Sequence, residues 1–71
     1  MNDYYTQELG GEPLIGFEHE YKIWNDGRIL SLLTDQWVKQ RVDSSGYLKV
    51  DLRKDGHRYT RRVHILVATQ F

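Results

Sequence analysis

Residues 47–63 read YLKVDLRKDGHRYTRRV and contain the clearest structural signal in the chain. In the first half, Leu48, Val50 and Leu52 are separated by single polar residues. This period of two is typical of a strand with one buried face. The segment 54–56 follows, and its Asp-Gly pair is a strong signal for a hairpin turn. The stretch therefore predicts an antiparallel β-hairpin.

Further short strands are predicted upstream of this hairpin. Residues 21–24 form one strand, the Asn-Asp-Gly turn at 25–27 reverses the chain, and residues 28–32 return. A second turn at 34–36 precedes the stretch 37–41. These segments predict a small antiparallel β-sheet of three to four strands.

The C-terminal end predicts a helix. Residues 63–71 are too continuously apolar to be classified by alternation, but Val63, Leu66, Val67 and Phe71 recur at helical spacing and share one face. We expect this short helix to pack on the sheet. The predicted fold class is therefore α+β.

The N-terminal part of the chain differs in composition and charge. Residues 1–13 lack aliphatic periodicity and end in Gly-Gly-Glu-Pro, which predicts a flexible acidic arm ahead of a domain at 14–71. Residues 1–20 contain five acids and no Lys or Arg, whereas residues 21–71 contain ten bases and five acids. These opposite charges either pair within the fold or form separate faces that bind partners.

Length and composition exclude several classes of protein. A chain of 71 residues forms one small domain, and 39% apolar residues are too many for a disordered chain. There is no cysteine for a disulfide framework, no apolar run long enough to span a membrane and no signal-peptide pattern at the N-terminus. We expect a monomeric cytoplasmic domain that does not contact membranes.

The chain shows no pattern typical of a catalytic or metal site. His19, His57 and His64 do not have the spacing of zinc ligands. Glu18 and Glu20 share one strand face and could hold a divalent ion, but a solvated acidic edge is the more ordinary explanation. We therefore expect no enzymatic activity, no metal and no cofactor.

The hairpin carries five basic residues within ten positions, and one acid lies among them. Arginine and tyrosine on a small sheet can contact phosphates and base edges, although a solvated hairpin also carries such charges for solubility. The predicted partner-binding residues of the hairpin are Arg53, Lys54, Arg58, Tyr59, Arg61, Arg62 and Tyr47. Asp3, Tyr4 and Tyr5 of the arm are the second candidate set.

Four blocks of the sequence resemble the NUMOD4 motif, which lies beside HNH catalytic domains in phage homing endonucleases. The blocks are LIGFE (14–18), YKI with NDGRILSL (21–32), SGYLKVDL with DG (45–56) and VHILVATQF (63–71). The resemblance covers about residues 13–71. It implies a small sheet with a helix that positions a nuclease on DNA, with Arg28 and Ser31 as candidate DNA contacts.

Two departures from this motif change the functional expectation. The chain stops at Phe71, where the nuclease residues would begin, and Ile65 stands where these proteins usually have Arg. Together with the acidic arm, the loss of positive charge weakens the electrostatic support for DNA binding.

The chain also resembles short phage regulators of host RNA polymerase. We therefore predict a non-catalytic phage protein in the cytoplasm of the host bacterium. It would inhibit or redirect RNA polymerase by direct contact, with weak or no binding to nucleic acid alone. The alternative is a DNA-binding accessory module derived from an HNH homing endonuclease.

Overall fold

The computed structural model describes residues 10–71, which form two antiparallel sheets and one helix. The first sheet contains β1 (Glu12–Pro13), β2 (Tyr21–Ile23), β3 (Ile29–Ser31) and β4 (Gln36–Trp37), paired in that order. The second sheet contains β5 (Arg41–Val42), β6 (Leu48–Lys54) and β7 (His57–Arg62), and helix α1 (Val63–Gln70) follows β7 directly. The predicted α+β class with a C-terminal helix is confirmed, and the strands divide between two sheets.

The β6–β7 hairpin forms as the alternating sequence predicts. Leu52 lies opposite Tyr59, and Lys54 lies opposite His57 across the turn. The turn residues Asp55 and Gly56 both have positive φ, 56° and 79°. Such a two-residue turn matches the right-handed twist of the flanking strands and therefore fixes their register.

The core lies where both sheets and the helix meet. Val50 and Leu52 of β6 are completely buried, as is Ile23 of β2. The helix contributes Val63, with Leu66 and Val67 packed against the cluster. Phe71, which the sequence placed on the same face, follows the last helical residue and is half exposed. The core cluster consists of Leu14, Phe17, Tyr21, Ile23, Ile29, Val50, Leu52 and Val63.

The first strand is tied to the C-terminal helix by one side chain. The Gln70 amide donates to the Pro13 carbonyl at 3.0 Å and accepts from the Ile15 N–H at 2.9 Å. Glu12 and Pro13, which the sequence assigned to the end of the arm, thus form β1 and pair with β2. The remainder of the predicted arm, residues 1–9 with Asp3, Tyr4 and Tyr5, lies outside the described residues.

None of the described helical segments is long and apolar enough to cross a membrane.

Candidate nucleic-acid interface

The side of the second sheet that faces away from the core forms one polar surface. Side chains alternate along a strand, and directly opposite residues share a face. Because Val50 and Leu52 point into the core, their neighbours along β6 point outward. The register then defines the outer face, which consists of Arg41, Lys49, Asp51, Arg53, Arg58, Thr60 and Arg62.

Cations lie directly opposite cations on this outer face. Arg41 pairs across the sheet with Lys49, and Lys49 pairs on its other side with Arg62. Farther along the hairpin, Arg53 lies opposite Arg58. Like charges in directly opposite positions destabilise a sheet. Folding stability therefore does not account for these three pairs.

Asp51 organises the centre of the outer face. Its Oδ1 and Oδ2 accept hydrogen bonds from Arg41 Nη2 at 2.9 and 2.8 Å, and the Thr60 hydroxyl donates to Oδ1 at 2.7 Å. The hydrogen bonds from Thr60 and then Arg41 lower the pKa of Asp51 below its ordinary value. The carboxylate is therefore charged at neutral pH and holds the Arg41 guanidinium in place.

A second carboxylate, Asp43, holds the end of β7. Its Oδ1 accepts the backbone N–H groups of Ser45 and Tyr47, and its Oδ2 accepts from Arg62 Nε at 3.0 Å. These hydrogen bonds, that from Tyr47 first, lower the pKa of Asp43. No carboxylate holds Arg53 or Arg58 in this way. Their side chains make no hydrogen bond or ion pair to any residue from 10 to 71.

Three of the predicted partner-binding residues, Lys54, Tyr59 and Arg61, lie on the other side of the hairpin. Tyr59 packs edge-on against Phe17, with 5.6 Å between ring centroids. The Arg61 guanidinium lies 5.3 Å from the Tyr59 ring centroid, and Lys54 Nζ donates to the Gly16 carbonyl at 2.7 Å. The structure thus separates these side chains from the outer face, which contains Arg53, Arg58 and Arg62 of the predicted set.

Tyr47 lies at the edge of the outer face, beside an open groove. The Arg62 guanidinium is 5.0 Å from the centroid of its ring, and the His64 ring is 4.8 Å away on centroids. The groove has a volume of about 520 Å³ and runs between the turn at 25–27 and helix α1. Tyr47 therefore links this groove to the cations of β7.

Neither Arg28 nor Ser31 lies on the outer face, because Ser31 ends β3 of the first sheet and Arg28 directly precedes that strand. The Arg28 guanidinium stacks against Trp24 and Trp37 at 5.7 and 5.1 Å from the ring centroids, and its Nε donates to Asp26 at 2.8 Å. Ser31 Oγ accepts weakly from the backbone of the following turn. The two lie three positions apart, and residues an odd number of positions apart on an extended chain point to opposite faces. Their contact with DNA stays a prediction.

Two cations of the outer face, Arg41 and Lys49, were not among the predicted binding residues. Lys49 alternates with Val50 and Leu52, so the period of two could have revealed its outward direction. Arg41 had no such signal, because its place depends on the pairing of the two-residue strand β5 with β6.

Comparison with known proteins reveals related sequences and structures. No protein-family model matches the chain. DNA endonuclease I-HmuI of Bacillus phage SP01 is 34% identical over 56 residues, which are 79% of this chain and 32% of the endonuclease. A solved structure, described as DNA binding and cleavage by the HNH homing endonuclease I-HmuI, matches with a TM-score of 0.81 and 31% identity. That match covers 86% of this chain and 35% of the solved chain, so the chain spans about a third of the relatives' length.

The predicted regulation of host RNA polymerase is wrong on this comparison. The relative is a DNA endonuclease, and its structure concerns DNA binding and cleavage. The partner prediction, RNA polymerase with weak or no binding to nucleic acid, is overturned by the same finding. The related protein is an enzyme, and the match covers only a part of it. The chain is related to one segment of a phage HNH homing endonuclease.

Proposed function

We propose that the chain is a DNA-binding module of the NUMOD4 kind, and that it holds duplex DNA through the outer face. The single observation that carries this proposal is the set of three cation–cation pairs in directly opposite positions of one sheet face. A polyanion would relieve the repulsion within these pairs, since lysine and arginine neutralise phosphates and release the counterions of the duplex.

The dimensions of the hairpin suit the major groove. That groove is about 12 Å wide and admits a two-stranded β-ribbon. Lys49 and Arg62 form one cationic pair, and Arg53 and Arg58 form another pair four residues farther along β6. At about 3.3 Å per residue the two pairs are separated by about 13 Å. The pairs can therefore contact phosphates on both sides of the groove while the residues between them face the bases.

The relative supports the same assignment. The solved protein binds and cleaves DNA, and the matched segment has the same fold as this chain. We assign binding to this chain because its outer face offers cations and hydrogen-bond donors. The two organising carboxylates, Asp43 and Asp51, are each held by an arginine and leave the face positive.

The test compares the two sides of one strand. Arg58→Ala removes a cation from the outer face, and Arg61→Ala is its matched control on the opposite side of β7. We expect Arg58→Ala to weaken binding to a fluorescently labelled duplex several-fold at low salt, measured by anisotropy, and Arg61→Ala to weaken it less. Equal losses for both variants would show that the outer face is not the binding surface. Absence of duplex binding by the unmodified chain at low salt would refute the proposal.

A further inference from the structure

The centre of the outer face contains an arginine whose orientation is fixed while most of its donors remain unused. Both oxygens of Asp51 accept from a single nitrogen of Arg41, Nη2. The Thr60 hydroxyl holds the same carboxylate from the neighbouring strand. Nη1 and Nε of Arg41 make no hydrogen bond to any residue from 10 to 71. The guanidinium is therefore oriented and retains donors for a ligand.

The position of this guanidinium lies between the two cationic pairs. Asp51 and Thr60 form the directly opposite pair at the middle of the hairpin, with Lys49 and Arg53 as the next outward residues of β6. The Arg41 backbone lies opposite Lys49, and its side chain extends along the sheet so that the guanidinium contacts Asp51 of the central pair. If the flanking cations contact phosphates, Arg41 faces the base edges between them.

We propose that Arg41 recognises a guanine in the major groove and that Asp51 is its positioning residue. The inference rests on the proposed function, since it needs the outer face to lie in the groove. Guanine presents two acceptors there, N7 and O6, and arginine donates to both at once. A carboxylate that fixes the arginine lowers the entropy lost on binding and restricts the geometry to this base.

A stabilising role alone does not explain the Arg41–Asp51 pair. The Arg41 side chain is 55% exposed, and exposed ion pairs contribute little to stability. The other cations of the outer face repel one another, and a guanidinium held in one orientation among them serves to recognise a base. Lysine would keep the charge of Arg41 but has no planar fork of donors for Asp51 to orient.

The test is selection of bound duplexes from a randomised library by the full chain, followed by affinity measurements on the selected site. We expect the selected site to contain a guanine whose replacement by adenine weakens binding by about fivefold or more, the range for one paired contact. Replacement of that guanine by 7-deazaguanine, which lacks the N7 acceptor, should also weaken binding.

Arg41→Lys separates base recognition from charge. We expect this variant to bind random duplex within about twofold of the unmodified chain and to respond less to 7-deazaguanine, because Asp51 cannot hold a flexible ammonium against N7 as it holds the planar guanidinium. Arg61→Lys makes the same exchange on the other side of the hairpin and should keep that response. Asp51→Asn should reduce the guanine preference without weakening binding to random duplex, a result that a merely structural role of Asp51 would not produce.

The outcomes distinguish the two proposals. If the chain binds duplex through the outer face but selects no guanine, or if Arg41→Lys responds to 7-deazaguanine as before, the reading of guanine by Arg41 is refuted and DNA binding stands. If the chain binds no duplex at low salt, both proposals are refuted.

Discussion

The backbone N–H of Arg53 donates a hydrogen bond to the hydroxyl of Tyr21 at 2.9 Å. Tyr21 lies on β2 with its ring in the core, and Arg53 lies on β6, so this bond joins the two sheets. β5 is too short to pair with this part of β6, and the hydroxyl occupies the unpaired strand edge in its place. The strand that carries the outer face is thereby fixed to the rest of the fold.

Tyr21→Phe should lower the free energy of unfolding by about 1 kcal/mol, because it removes this hydrogen bond and leaves the Arg53 N–H without its partner. Urea denaturation followed by tryptophan fluorescence measures the change. Tyr47→Phe is the control, since the Tyr47 ring is half exposed and its hydroxyl makes no hydrogen bond within the described part of the chain. Equal stability of both variants would contradict the role of Tyr21.

Gly27→Ala should destabilise the protein more than Gly46→Ala. Both glycines have positive φ, 97° and 88°, where an alanine costs about 1 kcal/mol. An added Cβ at Gly27 would also lie 3.1 Å from Val63 Cγ1, whereas at Gly46 no atom lies within 4 Å. The difference between the two losses in unfolding free energy therefore measures the effect of the close approach between the turn at 25–27 and helix α1. A larger loss for Gly46→Ala would show that this approach is unimportant.

Stability should fall in acid through Asp43. Hydrogen bonds from the Tyr47 and Ser45 backbone and from Arg62 lower its folded-state pKa below the ordinary 3.8. The stabilisation is therefore complete above the ordinary pKa and is lost as the pH falls through the lowered folded-state value. Asp43→Asn should flatten the acid side of the stability profile, measured by thermal unfolding at a series of pH values. An unchanged acid slope in this variant would contradict the assignment.

Duplex binding should weaken steeply with salt. Each phosphate neutralised by the outer face contributes about −0.9 to the slope of log affinity against log salt concentration. Arg58→Ala should make the slope shallower by about 1, because it removes one phosphate contact. Anisotropy titrations at several salt concentrations measure both slopes. A slope that Arg58→Ala leaves unchanged would place Arg58 away from the phosphates.

Ile65 in place of an arginine and the acidic N-terminal part, which brings the formal charge of the chain to zero, led the sequence-based functional hypothesis away from DNA. The total is a sum over the whole chain, whereas a phosphate responds to charges within about 10 Å at ordinary salt. The structure gathers Arg41, Lys49, Arg53, Arg58 and Arg62 on one sheet face. The net charge of the whole chain is therefore a poor guide to the charge of this face.

The sequence by itself determined the hairpin, its turn and the C-terminal helix. Alternation at Leu48, Val50 and Leu52, the Asp-Gly pair and the helical spacing after Val63 are local signals, and they act over a few residues. Only the tertiary structure decided how the basic residues divide. Alternation along β7 puts Tyr59 and Arg61 on the side opposite Arg58 and Arg62, but only the pairing of β7 with β6 makes that side the core side, since it sets Tyr59 and Arg61 opposite the buried Leu52 and Val50.

Tertiary structure also decided that the Arg41 side chain lies at the centre of the outer face. Its strand, β5, has two residues, too few for a periodic signal, and its pairing with β6 places it opposite Lys49. The division into two sheets also depends on tertiary structure. The buried hydroxyl of Tyr21 connects β2 to β6, and no continuous ladder of backbone hydrogen bonds joins the two strands. Such contacts join residues far apart in the chain, and their geometry depends on how the whole core packs.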